Sequence, residues 1–293
     1  MKPRGILPGQ PVWTGLAVVG CLAGFLLGRQ AARRVLPQGF GPNRLSSRWS
    51  LVRGVPLHAL VAPGPAQGAG RLPVVLVHGL GMSSRYMAPL ARCLSRDFAV
   101  AAPDLPGFGR SGDPDRTLTV PGMALALAGW MDAMGIRRAM LVGNSLGCEV
   151  LVELALQRPD LVARLVLQGP TPDPEHASAP RQVAQFLLTS LYERPSLLPL
   201  ALAEYARTGL WRYLRTFLHM SRYRMAAGLP GVAAPSLIVV GARDYLVPRG
   251  WAERMARLMP RARLVFVPGA AHGMNYSHPE ALRDASLPFL LEG

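Results

Sequence analysis

A serine, a histidine and an aspartate that together could cleave an acyl bond stand far apart in this chain. The serine lies in Gly143-Asn144-Ser145-Leu146-Gly147, between the apolar run AMLV (139–142) and LGCEVLVELAL (146–156), which has helical character. A serine on a sharp strand-to-helix turn takes strained backbone angles, and glycines two residues to either side relieve the crowding. Such a turn lifts the hydroxyl above the carboxyl edge of a strand, where open α/β sheets bind ligands. The following helix N-terminus offers the Leu146 N–H to a developing oxyanion.

A neutral hydroxyl is a weak nucleophile, so Ser145 needs a base, and the base needs an orienting acid. Of the six histidines, only His272 (VPGAAHG) combines a late position with a loop just after a strand. His58 falls in an early hairpin, and His176 and His219 in a helical block. His278 stands at a helix start, and His78 in the VHGLG turn, where a structural role is expected. The acid is Asp244 in LIVVGARDYLVP, after a buried strand; its rival is Asp173, one strand earlier, and its bland role would be to cap the next helix. In His78-Gly79-Leu80-Gly81 the glycines let backbone approach a substrate oxygen, so the Leu80 N–H can join that of Leu146 in an oxyanion hole. Asp104, in DLPGFGRSG, is expected to accept loop N–H bonds.

These residues need strand ends to carry them, and the pattern supplies the strands. Ser47–Arg53 and Val55–Ala62 predict a hairpin, and PVVLV (73–77) is the continuous apolar run of a buried parallel strand. Further strands are expected over 98–102, 138–142, 161–168, 236–240 and 263–267. Helices are expected over 83–96, 120–134, 146–158, 251–259 and 279–291. Strand–helix alternation means a parallel sheet with helices on both faces. Residues 171–230 break the alternation and predict an all-helical insertion, with helices around 183–191, 197–205 and 211–223.

HGLG, DLPGFGRSG, GNSLG, GARDYLVP and GAAHG, in this order, resemble the α/β-hydrolase superfamily over about residues 50–293. The resemblance implies that fold: a mostly parallel eight-stranded sheet flanked by helices, with a helical cap. It also implies a Ser145–His272–Asp244 triad without metal or cofactor, working as an esterase, lipase, thioesterase, lactonase or carbon–carbon bond hydrolase. Serine at the turn departs from the dehalogenases and epoxide hydrolases, which carry aspartate there. Cys148 stands where many relatives have a further glycine; it reads as a small helix-packing residue. The favoured expectation is a carboxylesterase acting on a small or medium apolar ester through an acyl-enzyme. The alternatives are a meta-cleavage C–C hydrolase with the same triad and a non-catalytic binding protein. The cap's aromatics (Phe186, Tyr192, Tyr205, Trp211, Tyr213, Phe217, Tyr223) fit an apolar substrate. Its arginines (Arg207, Arg212, Arg215, Arg222, Arg224) read as a solvated face, or as a contact with anionic lipid or an acidic substrate.

Composition agrees. Half of the 293 residues are hydrophobic and 17% are charged, enough for a large core and too apolar for disorder. Three distant cysteines (Cys21, Cys93, Cys148) exclude a disulfide framework and lack metal-ligand spacing. The net charge of +15 is concentrated in residues 1–96, which hold 12 basic residues and no acid, so it does not mark a nucleic-acid groove. It flanks an apolar run, residues 12–28, whose 17 residues would span roughly 25 Å as a helix. That run predicts an uncleaved membrane anchor, the alternatives being a signal peptide or, at Cys21, a lipoprotein box. Five arginines follow it and two basic residues precede it, which points the main domain to the cytoplasm; a cleaved leader would mean export. Gly20, Gly24 and Gly28 repeat at helix-packing spacing, although such glycines are common by chance. The expected organisation is anchor and linker 1–47, core 48–170, cap 171–230 and core 231–293, with oligomeric state open.

Overall fold

The computed structural model describes residues 45–65, 70–170 and 179–292. The apolar run 12–28, Cys21, Asp173 and His176 lie outside the described residues. Among those described, no helix is long and apolar enough to cross a membrane.

Eight strands form one sheet: β1 (Ser46–Val52), β2 (Val55–Ala62), β3 (Val74–Val77), β4 (Val100–Pro103), β5 (Ala139–Asn144), β6 (Val162–Gln168), β7 (Ser236–Gly241) and β8 (Ala262–Val267). Their order across the sheet is β1-β2-β4-β3-β5-β6-β7-β8. β2 runs antiparallel to both β1 and β4, and the other pairings are parallel. The β1–β2 hairpin closes through Arg53 and Gly54, both with positive φ (49° and 80°), as a two-residue turn requires.

The inner strands are buried on both faces, and their side chains alternate between two cores. Val75, Val77, Leu141, Leu165, Leu167, Ile238 and Val240 enter one core. It is covered by α2 (Val120–Ala133), α3 (Leu146–Gln157) and α8 (Arg249–Leu258). Val74, Leu76, Met140, Val142, Val166, Leu237 and Val239 enter the other, under α1 (Ser84–Leu94) and α10 (Pro279–Leu291). The apolar face expected for the first helix (Met87, Leu90, Ala91, Leu94) is the one it buries. Between β6 and β7 lie the cap helices α4 (Ala179–Ser190), α5 (Leu197–Thr208), α6 (Leu210–Arg222) and α7 (Met225–Gly228). The short α7 and α9 (Met274–Ser277) are absent from the sequence expectation, because four residues are too few to carry a helical period.

Asp104, just beyond β4, ties the loops at this sheet edge together. It accepts the Ser84 N–H (2.6 Å), the Arg110 N–H (2.9 Å) and a bond from His58 Nδ1 (2.8 Å). Burial works to raise its carboxyl pKa, yet the bonds from His58 and Arg110 outweigh burial and hold it below the usual range. Its stabilisation is therefore present above the unfolded-state pKa and lost as pH falls through the folded one. Asp104→Ala orphans buried donors at about 1–3 kcal/mol each. We expect a loss of about 3 kcal/mol or more in urea unfolding at neutral pH; a change below about 1 kcal/mol would contradict this role.

Candidate functional site

The turn from β5 to α3 is set by its neighbours. Ser145 has φ 54° and ψ −121°, and with Arg53 it is one of two non-glycine residues of positive φ among the described residues. A Cβ on Gly147 would come within 2.3 Å of the Val77 carbonyl oxygen, and one on Gly143 within 2.7 Å of the Gly147 backbone. Glycine is therefore obligatory at both positions, because strand β3 and the start of α3 close in from opposite sides. The Cys148 thiol is buried among the Gly143 and Gln168 carbonyls (3.2 and 3.3 Å), and burial pushes it well up. It packs the turn and is not a thiolate nucleophile.

His272 and Asp244 meet across the ends of β7 and β8. His272 Nδ1 is 2.9 Å from Asp244 Oδ2, with side-chain exposures of 17% and 0%. Asp244 also accepts the Leu246 N–H at Oδ1 (3.1 Å), so its second oxygen is committed to its own turn. Since a carboxylate only accepts, Nδ1 carries the hydrogen, which leaves Nε2 as the basic nitrogen. Burial works to lower the imidazole pKa. The Asp244 charge and hydrogen bond, with Glu193 adding to them, outweigh burial and hold it above the ordinary value.

Ser145 and His272 are connected through two buried amides that the sequence reading passed over. Asn144 and Gln168 are register partners at the ends of β5 and β6. Gln168 Oε1 accepts from Asn144 Nδ2 (2.8 Å), and both side chains donate to the His272 carbonyl oxygen (3.2 and 2.7 Å). The Gln168 carbonyl accepts the Ser145 N–H (3.1 Å). Gly169 follows at φ 58°, and a Cβ there would stand 3.0 Å from His272 Nδ1 and 3.2 Å from Asp244 Oδ2. A polar residue ending an otherwise apolar strand, as in AMLVGN and LVLQ, was the available signal.

The HGLG turn lies on the other side of Ser145. A Cβ on Gly79 would come within 3.2 Å of the Ser145 Cβ. His78 is fully buried, its Nδ1 2.8 Å from the Gly79 carbonyl oxygen and its Nε2 accepting the Leu105 N–H (3.0 Å). Both its nitrogens are spent on loop backbone. Among the described residues, neither the Leu80 nor the Leu146 N–H donates a backbone hydrogen bond. Tyr205 and Tyr213 pack edge to face (centroids 5.2 Å apart) over Gly81, forming an aromatic wall beside this turn. His58 and His278 are placed elsewhere, on Asp104 and at the start of α10.

Glu193, after α4, reaches from the cap to the histidine loop. It accepts the Gly273 N–H at Oε1 and the Ser277 hydroxyl at Oε2, both at 2.5 Å. Among the described residues no cluster of metal-binding side chains occurs. The arrangement as a whole offers a hydroxyl on a strained turn, an imidazole with a fixed tautomer and two N–H groups, the parts that acyl transfer needs.

Following the His272 ring protons by NMR should give a titration midpoint above that of a free imidazole. Glu193→Gln, which removes a nearby negative charge, should move it down. A midpoint below the free value, or one unmoved by Glu193→Gln, would contradict the electrostatics described.

The sequence matches the model of the alpha/beta hydrolase family over residues 74–285. It is 30% identical over 240 residues to RutD, a candidate carbamate hydrolase of Pseudomonas savastanoi pv. phaseolicola, covering 74% of this chain and 93% of that protein. It is 28% identical over 254 residues to the 2-hydroxy-6-oxo-6-phenylhexa-2,4-dienoate hydrolase of Burkholderia cepacia, covering 75% and 88%. The fold is shared with the crystal structure of a membrane phospholipase A, with a TM-score of 0.73 at 24% identity over 94% of this chain and 93% of that one. A family model that spans most of the described core, together with a relative matched over nearly its whole length, places this chain in the alpha/beta hydrolase family.

Proposed function

We propose that this hydrolase cleaves small or medium apolar carboxylic esters through an acyl-enzyme, with Ser145 as nucleophile, His272 as base and Asp244 as its orienting acid. The observation that carries this reading is the 2.9 Å contact between His272 and Asp244, joined by shared hydrogen bonds to the strand end that presents Ser145. Ser145 Oγ attacks the carbonyl carbon and gives its proton to His272 Nε2. Asp244 stabilises the imidazolium at Nδ1, and the Leu80 and Leu146 N–H groups bind the oxyanion. His272 then protonates the departing alcohol. A water activated by the same nitrogen attacks the acyl carbon and releases the acid. Tyr205 and Tyr213 favour an apolar acyl or alkoxy group beside the oxyanion position.

One observation favours a second reading: the Burkholderia cepacia relative, matched over most of its length, is a hydrolase of a dienoate. The same three side chains would then serve C–C cleavage. In either reading, residues 12–28 hold the enzyme at a membrane with the domain on the cytoplasmic side, as the basic flanks suggest.

A fluorophosphonate probe should label Ser145, and Ser145→Ala should abolish labelling and lower kcat/KM on p-nitrophenyl esters by about a thousandfold or more. In wild type, kcat/KM should fall as pH drops through the raised His272 pKa, because only the neutral imidazole accepts the proton. Turnover of a dienedioate ketone with no ester hydrolysis would favour the second reading. Tight binding of an unaltered ligand, with no turnover of p-nitrophenyl esters or of the dienedioate ketone, would leave only a binding role.

A further inference from the structure

The cap has an unusual charge arrangement. Residues 179–230 hold seven arginines and two acids, Glu193 and Glu204. Both acids turn inward. Glu204 is 1% exposed and pairs with Arg85 (3.0 Å), and Glu193 grips the histidine loop. The outward surface of the described cap therefore carries basic, apolar and neutral polar groups, and both of its carboxylates are engaged by other groups.

Helix α6 concentrates them. It buries Thr216 and Met220 and turns Trp211, Arg215, Leu218 and Arg222 outward, at the i, i+4, i+7, i+11 spacing of one helical face. Trp211 is 77% exposed and Leu218 48%. Among the described residues no carboxylate pairs with Arg215 or Arg222. Arg212, on the neighbouring face, is by contrast bound to Asp113 at 3.2 Å. A tryptophan and a leucine held in water cost free energy unless something covers them. A row that alternates large apolar and guanidinium groups suits one kind of cover. Trp and Leu can enter the boundary between headgroups and acyl chains, while arginine stems lie along the apolar layer with their charges at the phosphates. A protein partner or nucleic acid could match the charge, but neither offers an apolar layer bounded by a sheet of anions.

We propose that this face of α6 docks on an anionic lipid surface, setting the cap against the membrane. The proposal rests on the exposed face and not on the hydrolase reading, so it stands if no ester is turned over.

The full chain also carries the apolar run 12–28, so vesicle binding alone is not the readout; the contact must be read locally. In a Cys21→Ser background, where Cys93 and Cys148 are buried, Leu218→Cys is labelled with an environment-sensitive nitrobenzoxadiazole dye. Leu72→Cys, before β3 at the opposite end of the sheet, serves as control. With vesicles containing phosphatidylglycerol, the dye at 218 should shift to the blue and be quenched by brominated acyl chains, while the dye at 72 should not respond. Arg215→Glu with Arg222→Glu should lower the ratio of lipid-contacting to free caps by roughly tenfold or more, with circular dichroism unchanged. Three results would overturn the proposal. The first is a dye at 218 as solvated as the one at 72. The second is a response equal on pure phosphatidylcholine and insensitive to the arginines. The third is a blue shift that appears without lipid, on raising protein concentration or adding an oligonucleotide, which would assign the face to a second copy or to nucleic acid.

Discussion

The architecture depends on one strained turn. At Ser145 the chain leaves β5 and enters α3 with a φ of 54°, a conformation that costs a non-glycine residue of order 1–3 kcal/mol. It persists because the surroundings leave no alternative. Gly147 is pressed against the Val77 carbonyl and Gly143 against Gly147, while the Ser145 N–H is held by the Gln168 carbonyl. Any side chain at either glycine would push α3 off the sheet and relax the turn. Strain at this single point fixes where the hydroxyl stands relative to everything that arrives from later in the chain.

What arrives is positioned by loops whose backbones are tied down by side chains. Asn144 and Gln168 convert the ends of two parallel strands into a paired donor site for the His272 carbonyl. Gly169 keeps the space between imidazole and carboxylate clear. Glu193 fastens the same loop from the cap, so the cap also holds the loop that carries His272. A buried amide left unsatisfied costs more than its bond contributes, which makes this network nearly all-or-none. A shift of the cap would be felt at His272 through one carboxylate.

Much of this was legible in the sequence because local pattern and global fold agree. The apolar runs at 73–77 and 236–240 read as buried strands, and GNSLG between a strand and a helix reads as a tight turn. Ser145, Asp244 and His272 stand along the chain in the order expected of such a triad on an α/β sheet. Residues whose partners are far away in sequence were not legible. Asn144 and Gln168 look like ordinary strand ends until their register is known. Glu193 gives no sign that it will reach residues 273 and 277. His58 could be set aside as a hairpin residue, but its bond to Asp104 joins segments 46 positions apart. The outward face of α6 was visible only as a mixture of Arg, Trp and Leu, since exposure is a property of the packed cap and not of the helix.

If Ser145 is the nucleophile, the hydroxyl on the strained turn becomes covalently acylated during turnover. The direct measurement is a rapid-quench experiment with a slowly deacylating p-nitrophenyl ester, followed by peptide mass analysis. A burst of about one equivalent of p-nitrophenolate per enzyme, with the acyl mass on the peptide containing Ser145, is the predicted result. Steady turnover without a burst or adduct at any acyl-chain length, or an adduct carried by another residue, would contradict it.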